Sequence, residues 1–600
     1  MDLQKQSSRL PPLNSKKYYL LLGAVAVLVL GPLGGITAAY MNFSLGFFVG
    51  GQVLAGILGS AVTLGYGAEG KHGANYMQTM AASVASMAGM AVLIQAMSWL
   101  GLPAPNTTYM IIYFCCIGMF GVGVGMLYTP ILVDRMQLTF PSGFAVANIL
   151  RALTDRKLLK ASIGKLGTGT AMGLIGGIAA GKLATLGNLS LSASTIGAGM
   201  VVGARIAVPG VVIALIGEEI SPWLVSIGWL SEGAPFRKIG FVIALGSILG
   251  AALVDLTLIG FKAAARFKER SNAPVAPAED WKKTNTLRLV LWVLFWGAAL
   301  IVSGVFLMDL PFGYIALAMG LVFIFLLING ISTGISDSNP ISSAFVIAVF
   351  LMATVGLKDP GVGLMCAAIL LISCSIGVDM QQDRSTGWRL GTNRIIQFRY
   401  QVMGVFMGAI LCVVLAKLFM TAYPVLALDQ YSAKVPDADK WQSAMTYKFV
   451  GALQGLTHPN PVFSKALFLG ISIGLVIETL RKLIKRAAGY KAFVARGRMG
   501  FASDFMLDAF ILPSPYAASF GGFVDFLTAL WFGVGGVLTS FGQTLQNEAR
   551  KGMVRAGGDG EDDVPEDMST TALVGGGLIA GDSLAALFLG IFGLLSQVFG

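Results

Sequence analysis

Long apolar stretches alternate along this chain with short groups of Lys and Arg residues. Apolar stretches of about 20 residues recur from Tyr18 almost to Gly600, and this length matches the hydrocarbon core that one helix crosses. They lie approximately at 18–41, 44–66, 77–100, 110–133, 167–187, 192–217, 239–261, 287–308, 313–334, 338–357, 361–378, 396–424, 461–480, 502–541 and 572–599. The pattern predicts an all-α polytopic membrane protein of roughly 14–16 transmembrane helices in two halves.

The basic residues indicate how the chain is oriented. Only 12% of the residues are charged, whereas a soluble protein carries about a quarter. The net charge of +11 comes largely from clusters beside the apolar stretches, which is typical of cytoplasmic loops and gives no reason to expect a nucleic-acid partner. We therefore predict a cytoplasmic tail at 1–17, a first transmembrane half at 18–261, a cytoplasmic linker at 262–286 and a second transmembrane half at 287–600.

Short segments marked by Pro and Gly suggest broken or re-entrant helices. Seven long stretches precede the linker, but two cytoplasmic ends require an even number of crossings. The missing crossing could be 140–152 or 219–232, and 446–457 is a re-entrant candidate in the second half. Transporters break helices at membrane depth where the backbone must meet a substrate. We expect Phe140–Asn148 and Asp337–Ser343 to approach each other near mid-membrane.

Charged residues inside apolar stretches are candidates for function because they are unfavourable in lipid. Arg205 lies near the centre of 192–217, and Asp255 lies inside 239–261. Arg205 could contact substrate or form a gate, or it could pair structurally with a carboxylate or with backbone carbonyls. Asp255 is a candidate proton relay. Asp525 and Asp582 also have apolar surroundings, and their roles are left open.

Two polar motifs stand at the ends of apolar stretches in the second half. Asn339-Pro340 opens one stretch, where a helix break would free backbone groups for a ligand or merely cap a helix. The stretch 377–387 has two carboxylates and two glutamines, which could bind a cation or a substrate. The alternative is a solvated loop in which Arg384 neutralises Asp383.

Five motifs carry a resemblance to a known family. They are Asn75-Tyr-Met-Gln78-Thr79, Phe140-Pro-Ser142-Gly143-Phe-Ala145, Ser338-Asn339-Pro340-Ile-Ser342, Asp379-Met-Gln-Gln-Asp383-Arg-Ser-Thr-Gly387 with Leu390-Gly-Thr-Asn-Arg394 after it, and Gly577-Leu-Ile-Ala-Gly-Asp582-Ser583. In this order the chain resembles the oligopeptide transporter superfamily, which includes the yellow-stripe-like metal-chelate carriers.

The resemblance implies proton-coupled uptake of oligopeptides or metal-chelate complexes by alternating access. Together with the positions above, it gives two sets of candidate residues. The substrate-binding candidates are Asn75, Gln78, Ser142, Asn148, Arg205, Asn339 and Ser342, and the proton-coupling candidates are Asp255, Asp379 and Asp383.

Three residues depart from the family pattern. The family has Glu, Lys and Pro where this chain has Ala74, Ser385 and Asn393. These differences could alter substrate or coupling. They also support an alternative, a transporter-derived membrane protein with a sensory or regulatory role.

No motif indicates an enzyme. Gly176–Lys182 has phosphate-loop spacing, but Leu183 follows it and cannot bind Mg²⁺. Gly330–Gly334 has the spacing of a nucleophile elbow, but no strand precedes it. The five cysteines lie in apolar stretches and there are two histidines, so we expect neither a metal site nor a cofactor.

The expected partners are the lipid bilayer, a small peptide or metal-chelate substrate, and protons. Short loops and the absence of targeting signals favour the bacterial cytoplasmic (inner) membrane. The sequence leaves open whether the chain forms a homodimer.

The topology can be tested by labelling single cysteines from each side of the membrane. Clusters of Lys and Arg resist translocation. We therefore expect Lys16→Cys and Arg496→Cys to react only with reagents that reach the cytoplasmic side. Reaction of the two positions from opposite sides would contradict the topology.

Overall fold

The computed structural model is built from helices. It describes residues 10–46, 51–138, 140–182, 191–271, 279–336, 339, 341–432, 435–436, 438, 440–457, 461–555 and 569–599, and no strand occurs among them. Twelve helices in these ranges are long and apolar enough to cross a membrane, and two shorter apolar helices lie at Ala193–Val202 and Ala344–Thr354. The prediction of an all-α polytopic membrane protein is confirmed. The total of 14–16 crossings stays a prediction.

The chain forms two compact units. Unit 1 contains Met1–Asn42, Gly50–Gly164 and Leu258–Ala427, and unit 2 contains Phe43–Val49, Lys165–Thr257 and Leu428–Gly600. Each unit therefore takes residues from both parts of the chain. The predicted division at 262–286 concerns the order of segments across the membrane, and it stays a prediction.

Unit 1 is organised around one long buried helix. Its helices are Lys16–Val25, Gly31–Ser44, Gly51–Thr63, Gly70–Ala88, Val92–Trp99, Thr107–Thr129, Pro141–Ala152, Thr286–Leu307, Phe312–Ser336, Ile341–Thr354, Pro360–Leu390 and Arg394–Ala422, with the first residues of Arg156–Lys182. The helix Pro360–Leu390 packs against Thr107–Thr129, Phe312–Ser336, Ile341–Thr354 and Gly70–Ala88. The outer helix Thr286–Leu307 instead exposes large apolar side chains, including Leu294 and Phe306.

Local sequence signals define the ends of the helix Pro360–Leu390. The Asp359 carboxylate accepts hydrogen bonds from the backbone N–H groups of Gly361 and Val362, and Pro360 occupies the first helical position. At the other end Gly391 adopts φ 73°, a left-handed conformation that favours glycine. The enclosed 31 residues span about 46 Å, enough to cross a bilayer.

The motif Phe140-Pro141 begins a short helix through a strained turn. Phe140 has φ 44° although it is not glycine, and its side chain is fully buried. Its N–H donates a hydrogen bond of 2.9 Å to the carbonyl of Gly334. The helix that follows, Pro141–Ala152, has 12 residues, and the missing crossing at 140–152 or 219–232 stays a prediction. Asp337 and Ser338 lie outside the described residues, so the predicted approach of the two motif segments stays a prediction.

Unit 2 combines long helices with very short ones. They are Ala193–Val202, Ala204–Ser226, Ala444–Thr457, Pro461–Arg486, Ala488–Val494, Arg498–Met506, Pro515–Ala518, Phe520–Phe523, Phe526–Arg555 and Thr570–Phe599, with most of Arg156–Lys182 and Arg237–Ser271. Ala193–Val202 packs between Phe526–Arg555 and Thr570–Phe599.

One predicted span proves to be two helices. The sequence suggested a continuous stretch at 192–217, but Gly203 adopts φ 78° and separates Ala193–Val202 from Ala204–Ser226. Only glycine takes this conformation readily. Arg205 consequently stands in the first turn of the second helix, and its predicted position near the centre of a span is wrong.

Close packing of the central helix can be tested at glycine. A Cβ at Gly121 would lie 2.7 Å from the Cα of Ser373 on the helix Pro360–Leu390. We expect Gly121→Ala to lower the free energy of unfolding by about 1–3 kcal/mol, because neither backbone can move aside. The matched control is Gly320→Ala, also within a helix of unit 1, where a Cβ meets no atom within 4 Å. Equal thermal stability of the two variants in detergent would contradict this packing.

Candidate functional site

Three helices bring polar side chains into the interior of unit 1. We call them the Gln78 helix (Gly70–Ala88), the Asp383 helix (Pro360–Leu390) and the Gln397 helix (Arg394–Ala422), and each packs against the other two. Their buried polar residues include a group that we call the Asp383 cluster: Asn75, Gln78, Thr79, Asp383, Arg384, Gln397 and Gln401.

A buried hydrogen bond joins two of the sequence motifs. Gln78 Nε2 donates to Asp383 Oδ1 over 2.8 Å, although the two residues are 305 positions apart in the chain. Gln397 Nε2 adds a second link, because it donates to Thr79 Oγ1 at 2.9 Å and to the backbone carbonyl of Asp383 at 2.8 Å. The structure therefore brings the predicted substrate residue Gln78 and the predicted coupling residue Asp383 into direct contact.

Several polar atoms of the cluster have no hydrogen-bond partner. Asn75, Gln78, Asp383, Arg384 and Gln401 are each at most 1% exposed. The unpartnered atoms are Asn75 Nδ2 and Oδ1, Gln78 Oε1, Asp383 Oδ2, Arg384 Nε and Nη1, and Gln401 Nε2. A buried polar atom left unpaired costs about 1–3 kcal/mol. Such atoms in a protein interior call for a role beyond stability, and binding of a ligand, a water or a proton would satisfy them.

Arg384 and Asp383 make no direct ion pair. Both side chains lie in the described part of the chain, and Arg384 Nη2 donates to Gln401 Oε1 at 3.1 Å. Consecutive residues on a helix point about 100° apart, so adjacent opposite charges face different neighbours. The neutralisation of Asp383 by Arg384 stays a prediction. The alternative of a solvated loop is wrong, because residues 377–387 form part of the buried Asp383 helix.

The motif around Ser142 docks on the same helix. Thr386 Oγ1 donates to the carbonyl of Gly143 at 2.9 Å, and the Gly143 backbone lies too close to the Gln382 carbonyl to leave room for a side chain. Ser142, half-buried, precedes this contact. Asn148 lies farther along the short helix, where its Oδ1 accepts a hydrogen bond of 3.5 Å from Arg151.

The remaining candidates of unit 1 lie on neighbouring segments. Asp379 stands one helical turn before Asp383 and accepts a hydrogen bond from Ser86 of the Gln78 helix. Asn339 accepts a hydrogen bond of 3.2 Å from Asn329 Nδ2. Ser342 is half-buried in the first turn of Ile341–Thr354. The structure thus groups Asn75, Gln78, Asp379 and Asp383 on facing helices.

Arg205 and Asp255 belong to unit 2, where both have charged partners. Arg205 Nη1 lies 2.5 Å from Asp504 Oδ2 and 2.7 Å from Asp508 Oδ2. This is the structural pairing that the sequence left open as an alternative. Asp255 lies 2.7 Å from Lys482 Nζ and accepts a hydrogen bond of 3.0 Å from the Tyr516 hydroxyl.

These pairs are parts of one network. Lys485 and Arg481 also contact Asp508, and both Lys482 and Arg481 lie within 4 Å of Glu478. We call these residues the unit 2 ion network, with the bases Arg205, Arg481, Lys482 and Lys485 and the acids Asp255, Glu478, Asp504 and Asp508. Because bases and acids balance one for one, the network has the character of a structural junction.

The two acids whose roles were left open cap helices. Asp582 accepts hydrogen bonds from the backbone N–H of Ser194 at 2.9 Å and from the hydroxyl of Ser192 at 3.1 Å. Asp525 accepts one of 2.9 Å from the backbone N–H of Thr528, at the start of Phe526–Arg555. Carboxylates suit helix N-termini, where they satisfy free N–H groups.

Sequence reasoning missed Gln397, Gln401 and the pair Asp504 and Asp508. Gln397 and Gln401 stand four residues apart in an otherwise largely apolar helix, a spacing that puts both amides on one face. Asp504 and Asp508 have the same spacing, close after the basic residues 481–498. In both cases the four-residue spacing could have indicated two polar side chains on one face of a helix.

The unit 2 ion network predicts a pH dependence of stability. Burial alone would raise the pKa of Asp504, but hydrogen bonds from Arg205 and Tyr490 outweigh it and hold the pKa below its usual value. The stabilisation from this carboxylate is therefore complete above about pH 4 and is lost as the pH falls through the lowered pKa. We expect Asp504→Asn to lower the melting temperature at neutral pH and the difference from the wild type to shrink below about pH 4.

The matched control for that measurement is Glu219→Gln, because Glu219 is exposed and belongs to no ion pair among the described residues. Its melting temperature should follow the wild type throughout. A constant difference between Asp504→Asn and the wild type down to about pH 3 would contradict the pairing.

Comparison with known proteins agrees with the five motifs. The family model of the OPT oligopeptide transporter protein matches residues 19–183 and 169–592. No curated protein matches the chain. The family match covers most of the sequence, includes every residue of the Asp383 cluster and confirms the expected resemblance. The chain is an integral membrane protein that belongs to the OPT oligopeptide transporter family, a family of membrane transporters.

Proposed function

We propose that this chain is a secondary transporter that couples the uptake of short oligopeptides or metal-chelate complexes to protons by alternating access. The observation that carries this proposal is the Asp383 cluster, a fully buried group of polar side chains with unpaired donors and acceptors. A site that binds and releases cargo needs such atoms, because a fully paired interior offers a ligand nothing to bond.

The unpaired groups match the chemistry of the proposed cargo. Peptides and organic chelates both present carboxylates and amide or hydroxyl groups. Arg384 offers two unpartnered nitrogens, Nε and Nη1, whose N–H groups can donate to a carboxylate. The amides of Asn75 and Gln401 offer hydrogen bonds to the polar groups of a backbone.

Asp383 is the best placed group for proton coupling. Its Oδ1 accepts from Gln78 and its Oδ2 is unpartnered, so the second oxygen is free to take a proton. The same residue sits beside the groups proposed to bind the cargo. Protonation of Asp383 would change the charge that the cargo meets, which links the two binding events.

Broken helices supply points at which unit 1 could change shape. Pro141–Ala152 begins after the strained Phe140, and Ile341–Thr354 begins after Asn339. Interrupted helices of this kind line the sites of many carriers. The bacterial inner membrane as location and the formation of a homodimer stay predictions.

The alternative function is a sensory or regulatory role without substantial flux. The observation that favours it is that two of the three departures, Ala74 and Ser385, are completely buried in unit 1. Ser385, which stands where the family has Lys, accepts a hydrogen bond from Arg389. Transport assays separate the alternatives, because a sensor binds substrate but does not accumulate it.

We expect purified protein in liposomes to accumulate labelled peptides or iron chelates when the outside is more acidic. Asp383→Asn should abolish this uphill accumulation and retain exchange of substrate at equal concentrations, because the amide can bind cargo but cannot carry a proton. Asp379→Asn and Asp255→Asn test the other two coupling candidates in the same assay.

The matched control is Asp359→Asn, which lies at the start of the same helix and caps it. Asn is an equally good cap, so this variant should transport normally. Full pH-driven accumulation by all three test variants would contradict proton coupling at these carboxylates. Binding without uptake by the wild type would favour the sensory role.

A further inference from the structure

Unit 2 contains a cavity that the site in unit 1 does not explain. Its volume is about 330 Å³. Its walls come from Ala214, Glu218, the residues 231–238, the residues 430–432, Val435, Ala438, Gln442, Tyr447 and the residues 524–526. This volume lies at the lower end of the range for small-molecule sites. By the predicted topology, the cavity is at the non-cytoplasmic end of the helix Arg237–Ser271, because that helix leads into the linker 262–286.

The cavity carries charges of both signs. Arg237 and Lys238 contribute positive charge, while Glu218, Glu232 and Asp525 contribute negative charge. Asp525 is held by Gln442 and by the backbone N–H of Thr528. Among the described residues Glu218, Glu232, Arg237 and Lys238 belong to no ion pair, which contrasts with the paired charges of the unit 2 ion network.

Arg237 is held in a fixed orientation. Its Nη1 donates to Gln442 Oε1 at 2.9 Å, and its guanidinium lies 5.0 Å from the centre of the Tyr447 ring. Gln442 in turn donates to Asp525 Oδ2 at 3.0 Å. One N–H is thus used for orientation, and a guanidinium has five.

Gln430 gives independent evidence that the cavity binds a ligand. This side chain lines the cavity and is 4% exposed, and neither its Nε2 nor its Oε1 has a hydrogen-bond partner. Two unpaired atoms of one buried amide lower the free energy of unfolding, so stability does not explain this residue. A ligand that contains an amide would pair with both, since an amide offers a donor and an acceptor.

We propose that this cavity binds a small zwitterion with an internal amide, in effect a short peptide with free ends. The carboxylate lies against Arg237 and Lys238, the ammonium group lies towards Glu218 and Glu232, and Gln430 pairs with the amide. None of its residues belongs to the Asp383 cluster, so peptide binding here does not depend on the proposed transport through that cluster. It would capture the peptide on the non-cytoplasmic side.

The test is calorimetric titration of the full-length protein in neutral-lipid nanodiscs with trialanine. Whether or not the Asp383 cluster also binds trialanine, we expect a binding component that weakens at least about tenfold in Lys238→Gln and in Glu218→Gln and persists in Asp383→Asn. N-acetylated and C-amidated trialanine should lose affinity to a similar extent, because each lacks one charge. The matched control is Glu219→Gln, next to Glu218 in sequence but outside the cavity, which should bind as the wild type does.

Three results would overturn the proposal: no binding of trialanine, equal binding of the blocked peptides, or binding unaffected by Lys238→Gln and Glu218→Gln. A component lost only in Asp383→Asn would assign binding to unit 1, which overturns this site and leaves the transport proposal intact. If transport fails while the calorimetric component persists, the transport proposal is wrong and the peptide site in unit 2 stands.

Gln430→Leu provides a second readout that does not depend on charge. Without peptide, its melting temperature should equal or exceed that of the wild type, because an unpaired buried amide has been replaced by an apolar group. With trialanine, its melting temperature should rise less than that of the wild type. A lower melting temperature combined with an unchanged response to peptide would show that Gln430 is structural, and it would contradict the proposal.

Discussion

A polar atom inside a bilayer has no water to bond, so it must find its partner within the protein or within a ligand. This constraint explains why the described chain is helical, since a helix pairs its own backbone groups. It also explains the helix caps, such as Asp359 and Asp582, which satisfy N–H groups that a helix leaves free. Buried polar atoms that have no partner in the protein therefore indicate where a ligand could bind.

The two units treat buried charge differently. In the unit 2 ion network every acid has at least one basic partner within 4 Å, and the network joins residues of Ala204–Ser226, Arg237–Ser271, Pro461–Arg486 and Arg498–Met506. In the Asp383 cluster, a carboxyl group and a guanidinium are adjacent in sequence yet unpaired with each other, beside amides with unused atoms. Ion pairing on this scale suits a structural junction, whereas open hydrogen-bonding capacity suits a binding site.

Sequence reasoning predicted the helical membrane fold well, because apolar length and flanking charge depend on composition alone. It also singled out Asn75, Gln78 and Asp383 through the motifs that carry the family resemblance, and their roles stay predictions. It could not predict that Gln78 bonds Asp383 across 305 residues, because such contacts depend on how helices pack. It placed Arg205 within a continuous span, because no apolar pattern reveals that Gly203 takes a positive φ. It treated 377–387 as a segment at the membrane boundary because many of its residues are polar. Neighbouring helices nevertheless bury this segment, which local polarity does not reveal.

Difference infrared spectroscopy can observe the Asp383 carboxyl group itself when cargo binds. The protein in nanodiscs would be measured with and without a transported substrate, as wild type and as Asp383→Asn. We expect substrate binding to change the carboxyl C=O stretch of the wild type and of Asp359→Asn, and to leave no such change in Asp383→Asn. The same carboxyl signal in the wild type and Asp383→Asn would contradict a role for Asp383 as the proton-carrying group beside the cargo.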